Sequence, residues 1–297
     1  MILLDGKLAS QNVTKALKQK VEQYANKGFR APHLAAILVG SNGASETYVA
    51  SKIKNCEAIG FASSLVRFDE TVTQEILLRK IEELNQDSTI DGILVQLPLP
   101  KHIDENQVIL KINPDKDVDG FHPINAGKLM QGIPSYIPAT PYGMTMMLDF
   151  FNIDTKGKHA VVIGRSNIVG RPMSVLLSGN YTFGNCTVTL CHSHTHNLIE
   201  LCRQADIIVA AIGKPDFIDD IMIKDGAILL DVGITRVDDE TAVKGFRIKG
   251  DVNFEKVKHK AGAVSPVPGG VGLMTIAGLL TNTMKAYEQN YISEQNL

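Results

Sequence analysis

The stretch His159-Ala160-Val161-Val162-Ile163-Gly164-Arg165-Ser166-Asn167-Ile168-Val169-Gly170-Arg171-Pro172 decides the fold. It opens as an apolar strand run, turns at Gly164, and continues into a helix. Glycine at a strand end allows a sharp turn and lets a phosphate approach the backbone. The helix that follows offers unpaired N–H groups and partial positive charge. The spacing is GxxxxxG rather than GxGxxG, so a dinucleotide-binding turn and an ordinary strand-to-helix turn both fit it.

Beyond this turn, apolar runs recur at Thr187 to Cys191, Asp206 to Ala211 and Ala227 to Val232. Strands spaced by helical segments of this length imply parallel βαβ units covered on both faces. An NAD site usually has an acidic residue at the end of its second strand, to hold the ribose hydroxyls. Here that end reads Cys191-His192-Ser193-His194-Thr195, without a carboxylate. Arg165 and Ser193 suit a 2′-phosphate, which an acid would repel, so NADP is favoured over NAD. His192, His194 and His196 alternate as strand ligands do. They run into a loop with no carboxylate or thiolate at ligand spacing, so no metal is expected.

Towards the N-terminus, Leu34 to Val39 is a buried-strand run ending in Gly40-Ser41-Asn42-Gly43. A helical pattern follows from about Ser45 to Ile59, then a strand near Ser64 to Phe68. Next come an amphipathic helix from about Thr73 to Leu84 and the strand Gly92 to Gln96. Between Asn113 and Gly143 the chain turns rich in Pro and Gly and reads as a long loop. A second such loop, Ser265-Pro266-Val267-Pro268-Gly269-Gly270-Val271-Gly272, precedes a final helical pattern from about Leu273 to Gln289.

The expected class is α/β, with two three-layer αβα domains. A catalytic domain with a parallel sheet takes residues 1–140, and a Rossmann-type domain takes 141–273. The C-terminal helix, 274–297, is expected to return to the first domain. A chain of 297 residues with 44% hydrophobic and 21% charged residues is long enough for two cores. Net charge is −2 with dispersed Lys and Arg, which argues against nucleic acid or an acidic membrane as partner. The N-terminus lacks the pattern of a signal peptide, and no apolar run has the length of a membrane span. Cys56, Cys186, Cys191 and Cys202 form no CxxC pair and read as reduced thiols of a cytoplasmic protein.

Candidate chemistry lies in the first half. In Ser45 to Cys56 the apolar face is Val49, Ile53 and Cys56; Lys52 borders it, with Tyr48 one turn earlier. Lys52 either snorkels beside the core or is an amine desolvated against the Tyr48 ring, with a lowered pKa that suits a general base. Gln96 ends a strand on the side where open parallel sheets bind ligands. A neutral amide there either hydrogen-bonds the lysine without forcing charge on it or is an ordinary edge residue. In Lys116-Asp117-Val118-Asp119-Gly120-Phe121, one carboxylate is expected to reach a ligand and the other to stabilise the loop.

Six segments in order resemble the bifunctional methylenetetrahydrofolate dehydrogenase/cyclohydrolase family, known in bacteria as FolD. They are Tyr48-Val49-Ala50-Ser51-Lys52, Val95-Gln96-Leu97-Pro98-Leu99-Pro100, Lys116 to Phe121, Pro138-Ala139-Thr140-Pro141-Tyr142-Gly143, Gly164 to Gly170, and Pro266 to Gly272. The resemblance implies that Lys52 is the catalytic lysine, Tyr48 stacks on the folate, Gln96 tunes the amine and Asp119 holds the pterin ring. It adds Val95, Leu97, Pro268, Gly269 and Gly270 as substrate contacts. It assigns Gly164, Arg165, Ser166, Ile168, Gly170, Ser193 and Ile234 to NADP. It also implies a homodimer built through the cofactor domains. Three places depart from the family pattern: Leu273 replaces a frequent proline, His194 a frequent Lys or Arg, and the loop Ser178 to Asn185 is longer.

The implied reactions are oxidation of 5,10-methylene-tetrahydrofolate to the methenyl cation and its hydrolysis to 10-formyl-tetrahydrofolate. Hydride loss needs positioning more than a base. Hydrolysis needs a base to take a proton from water, which a neutral Lys52 supplies. A single-activity or NAD-preferring enzyme of the same fold, and a silent folate- or nucleotide-binding protein, are the competing readings.

Overall fold

The computed structural model describes residues 1–239, 241–242 and 245–293. Its strands are β1 (Ile2–Leu3), β2 (His33–Val39), β3 (Ala62–Phe68), β4 (Gly92–Val95), β5 (His159–Ile163), β6 (Thr187–Cys191), β7 (Ile207–Ala210), β8 (Ile228–Asp231), β9 (Thr235–Asp238), β10 (Phe246–Lys249) and β11 (Ala263–Val264). The helices used below are α1 (Gly6–Asn26), α2 (Gly43–Ile59), α3 (Gln74–Gln86), α4 (Glu105–Lys111), α5 (Pro123–Met130), α6 (Ala139–Phe150), α7 (Gly170–Ser178), α8 (Leu198–Gln204), α9 (Phe254–Val257) and α10 (Val271–Tyr287). No helix of the described residues is long and apolar enough to cross a membrane.

The chain divides into two compact units. One comprises Asn12–Ala139 with Ile276–Leu297, the other Met1–Gln11 with Thr140–Thr275. The first is a parallel sheet of order β3-β2-β4. Side chains of a strand alternate between faces, and β2 shows it directly. Leu34, Ala36 and Leu38 join Val49, Cys56 and Ile59 of α2 and Leu279, Leu280 and Met284 of α10. Ala35, Ile37 and Val39 join Leu77, Ile81 and Leu84 of α3 and Val108 of α4. Three layers, helix–sheet–helix, result.

The Pro/Gly-rich region from Asn113 to Gly143 is not one long loop: it holds α5 and the first turns of α6. The start of α5 has several stops that composition alone hides. Pro123 stands in its first turn, and the His122 ring nitrogen accepts the Ile124 N–H at 3.1 Å. Just before it, the Asp117 carboxylate accepts the N–H groups of Phe121 (3.2 Å) and His122 (2.8 Å).

The second unit is a six-stranded sheet of order β1-β11-β8-β7-β5-β6, parallel throughout. Val161, Ile163, Ile208 and Ala210 pack with Cys202 and Leu198 of α8 on one face. Helix α7 packs on β5 and β6 with Met173, Leu176 and Leu177 buried. An antiparallel ribbon, β9–β10, follows β8.

Residues 1–11 differ from the expected division. They group with the six-stranded sheet because β1 pairs with β11, Ile2 opposite Ala263 and Leu3 opposite Val264. The Gly6 N–H donates to the Gly269 carbonyl at 2.9 Å. A Cβ on Gly6 would overlap the Gly270 carbonyl oxygen, so this close approach needs glycine. The C-terminal helix was expected to run to residue 297; α10 ends at Tyr287, a wider turn covers Glu288–Ile292, and residues 294–297 lie outside the described residues.

Candidate active site

In the three-stranded unit the chain leaves β2 for β3 on one side and returns to β4 on the other. Such a reversal opens a crevice at the carboxyl ends of the strands. Helix α2 starts there: Asn42 caps it by accepting the Ala44 and Ser45 N–H groups, both at 3.1 Å. Its buried face is Ser45, Val49, Lys52, Cys56 and Ile59. Lys52 therefore does not border the apolar face but belongs to it, with 6% of its surface exposed.

Gln96 follows β4, and its backbone N–H bonds to the Ile37 carbonyl at 2.9 Å. Its amide Nε2 donates to the Leu97 carbonyl at 2.7 Å, which turns Oε1 towards Lys52. The Lys52 Nζ donates to that oxygen at 3.1 Å. It stands 5.6 Å from the centre of the Tyr48 ring. Burial pushes the Lys52 pKa down, and the Asp119 carboxylate opposes that shift. Burial raises the pKa of Asp119, and Lys52 in turn lowers it. The structure thus gathers Tyr48, Lys52, Gln96 and Asp119, with Val95 and Leu97 flanking Gln96 in sequence. Burial and a neutral acceptor both favour the uncharged amine relative to an exposed lysine.

The two acids of the Lys116–Phe121 segment divide their work. Asp117 is 1% exposed and accepts from two backbone N–H groups and from Asn125 Nδ2. It holds the loop, and burial raises its pKa to about 7. Gly120 has φ 74° and abuts the Ile137–Pro138 backbone, where a Cβ would come within 2.7 Å. Asn282 of α10 clamps both segments: its Nδ2 donates to the carbonyls of Val118 and Ile137, each at 2.8 Å. This clamp has no local signal in sequence: Asn282 stands between Thr281 and Thr283, and its two partners lie far back in the chain.

In the six-stranded unit, β5 lies between β6 and β7, so the crevice opens at the end of β5. The GxxxxxG spacing has a steric reason. Gly164 (φ 115°) leaves no room for a Cβ against the Ala211 carbonyl oxygen, and a Cβ on Gly170 would overlap the Gly164 carbonyl oxygen. The Ser166 Oγ accepts the N–H groups of Val169 (3.2 Å) and Gly170 (3.4 Å), which ties the turn to the start of α7. Arg165, Ile168, Ser193 and Ile234 are exposed, and the first two lie on this turn. Gly170→Ala is expected to cost about 1–3 kcal/mol through this overlap. It should weaken dinucleotide binding more than it lowers stability. Thermal unfolding and a cofactor titration on one preparation check this.

The His192 and His194 rings stand edge to face, 6.1 Å apart. Among the described residues, no group of three or more His, Cys, Asp or Glu is arranged to hold a metal ion. Pro268, Gly269 and Gly270, expected as substrate contacts, lie in the six-stranded unit, on the loop that meets Gly6.

Residues 4–119 match the family model for the tetrahydrofolate dehydrogenase/cyclohydrolase catalytic domain, and residues 138–291 match that for its NAD(P)-binding domain. The chain belongs to the tetrahydrofolate dehydrogenase/cyclohydrolase family. The bifunctional protein FolD of Cytophaga hutchinsonii is 56% identical over 286 residues, which is 96% of this chain and 99% of that protein. The crystal structure of the bifunctional enzyme FolD from Campylobacter jejuni is 46% identical, with a TM-score of 0.91 over 97% of this chain and 99% of that one. The Trypanosoma brucei methylenetetrahydrofolate dehydrogenase-cyclohydrolase, solved with NADP and an inhibitor, is 36% identical, with a TM-score of 0.92 over 97% and 98%. Tyr48, Lys52, Gln96 and Asp119 lie within the residues that match the catalytic-domain model, and the Gly164–Gly170 turn within those that match the NAD(P)-binding-domain model.

Proposed function

We infer that the chain oxidises 5,10-methylene-tetrahydrofolate with NADP and hydrolyses the methenyl product to 10-formyl-tetrahydrofolate. The observation that carries this reading is the buried Lys52 amine held by the neutral Gln96 oxygen just after the carboxyl end of β4. Asp119 suits the pterin edge, where a carboxylate accepts two hydrogen bonds from an amino group and a ring N–H. Tyr48 offers a face for the substrate's rings. Bound NADP accepts the hydride. The chain's own part in that step is to fix the substrate, because the flanking nitrogens stabilise the cation that forms.

In the second step Lys52 takes the proton of the attacking water. The cationic substrate favours the neutral amine by like-charge repulsion, in the same direction as burial. Gln96 accepts from the amine in either charge state and so does not trap it as ammonium. The residues of the six-stranded unit fit a dinucleotide. The turn Gly164–Gly170 is steeply constrained, Arg165 is exposed on it, and the end of β6 carries no carboxylate. Arg165 and Ser193 suit the 2′-phosphate.

We further propose a cytoplasmic homodimer formed through the nucleotide-binding units. The outer edge of β6 is unpaired among the described strands, and the four cysteines are free and buried. Steady-state assays of both half-reactions, each with NADP and with NAD, test the reading. We expect both activities, with the higher kcat/KM for NADP. Dehydrogenase activity alone, or higher kcat/KM for NAD, would refute the corresponding half.

A further inference from the structure

Asp251 follows the β9–β10 ribbon and is fully buried. Its carboxylate collects three successive backbone N–H groups from the loop after β7. Oδ2 accepts from Ile212 at 2.7 Å and Gly213 at 3.1 Å, and Oδ1 accepts from Lys214 at 2.7 Å. A second buried acid, Asp231 at the end of β8, locks the arrangement. Its Oδ1 accepts the N–H groups of Asp251 (2.8 Å) and Gly233 (2.9 Å), and its Oδ2 that of Val252 (2.9 Å). The Asp231 N–H in turn donates to Ser265 Oγ at 2.8 Å.

The packing leaves little freedom. A Cβ on Gly250 would overlap Asp231 Oδ2, and one on Gly233 would overlap the Asp251 backbone and carboxylate. The loop held by Asp251 continues from Ala211, whose carbonyl is the group against which Gly164 must be glycine. Ala211 N–H also bonds to the Ile163 carbonyl at 2.9 Å, at the end of β5. Loops after β5, β7 and β8 all sit at the carboxyl edge of the sheet, where a dinucleotide binds.

We propose that Asp251 is a positioning residue for the nucleotide site. It acts through the Ile212–Lys214 loop, with Asp231 fixing Asp251 itself. A carboxylate facing three N–H donors is a strong, directional anchor. An amide in its place would turn an NH₂ group towards at least one of those donors, and the loop would leave its seat beside Gly164. The proposal rests on the reading of this unit as the NADP site.

The test is Asp251→Asn in the full chain, with kinetics and backbone amide exchange measured together. We expect the KM for NADP to rise by about tenfold or more, which corresponds to losing one charge-assisted hydrogen bond. The kcat of the dehydrogenase should stay within about threefold, and the ratio of cyclohydrolase to dehydrogenase at low NADP should increase. Amide exchange at Ile212–Lys214 should accelerate while β5 and β7 keep their protection. An unchanged KM for NADP, or a parallel loss of kcat in both activities with KM unmoved, overturns the proposal. Should D251N fail to fold, D251E is measured: a smaller rise in the same KM supports the assignment and an unchanged KM refutes it. A wild-type chain without NADP-dependent activity refutes the cofactor reading instead, and amide exchange still decides whether Asp251 holds the loop.

Discussion

Lys52→Met is expected to lower the cyclohydrolase rate by about 10²–10⁴-fold, the usual contribution of a positioned base. The dehydrogenase should keep a larger share of its activity. The asymmetry follows from the chemistry of the two steps. Hydride departs from a carbon between two nitrogens, whose lone pairs stabilise the cation, so no proton acceptor is needed. Water attack on the methenyl carbon requires one. Methionine matches the length of the lysine stem and suits a site that is 6% exposed among Val49, Cys56 and Ile59. The variant should therefore fold, although the Gln96 oxygen loses its donor. Initial rates of methenyl formation and decay on the purified variant check the division. Equal loss in a folded protein contradicts it.

Asp119→Asn is expected to lower both activities by about 10–100-fold through KM for the folate, since a charge-assisted pair contributes about 1.5–3 kcal/mol. It should also displace the pH profile of the hydrolysis. Burial holds the Lys52 pKa down, while the Asp119 carboxylate raises it. The base form of Lys52 exists above its pKa, so the rate rises with pH through that value. Removing the negative charge removes the upward contribution, and the rising limb moves to lower pH. A profile of cyclohydrolase kcat against pH for the two proteins checks the sign; a shift to higher pH contradicts the coupling.

Local pattern revealed those parts of the fold whose cause is local. The strand Leu34 to Val39 is legible because every residue is apolar, and it is apolar because the sheet is covered on both faces. Gly164 and Gly170 announced a constrained turn, yet the reason for their spacing, contact of each with a backbone carbonyl, needs coordinates. Helix α5 stayed hidden because Pro123 and Gly127 look like loop residues, while its cap comes from Asp117 and His122. The placement of residues 1–11 depends on β11, some 260 positions along the chain.

The candidate site divides in the same way. Lys52 and Tyr48 meet through helical spacing, so their proximity is readable. Gln96 is 44 positions from Lys52, and only the order of strands predicts that they meet. Asp251 reaches amides 37 to 39 positions earlier, and Asn282 reaches a carbonyl 164 positions earlier. A buried polar residue whose partners are distant backbone atoms leaves no periodic trace.

The central claim is that one chain carries both steps and that Lys52 serves the second. A single-turnover experiment, mixing enzyme and NADP with 5,10-methylene-tetrahydrofolate, tests it most directly for wild type and Lys52→Met. The expected result is a methenyl species that forms and decays on the wild-type enzyme but forms and persists on the variant. Formation lost together with decay, or decay unchanged in the variant, would contradict the claim.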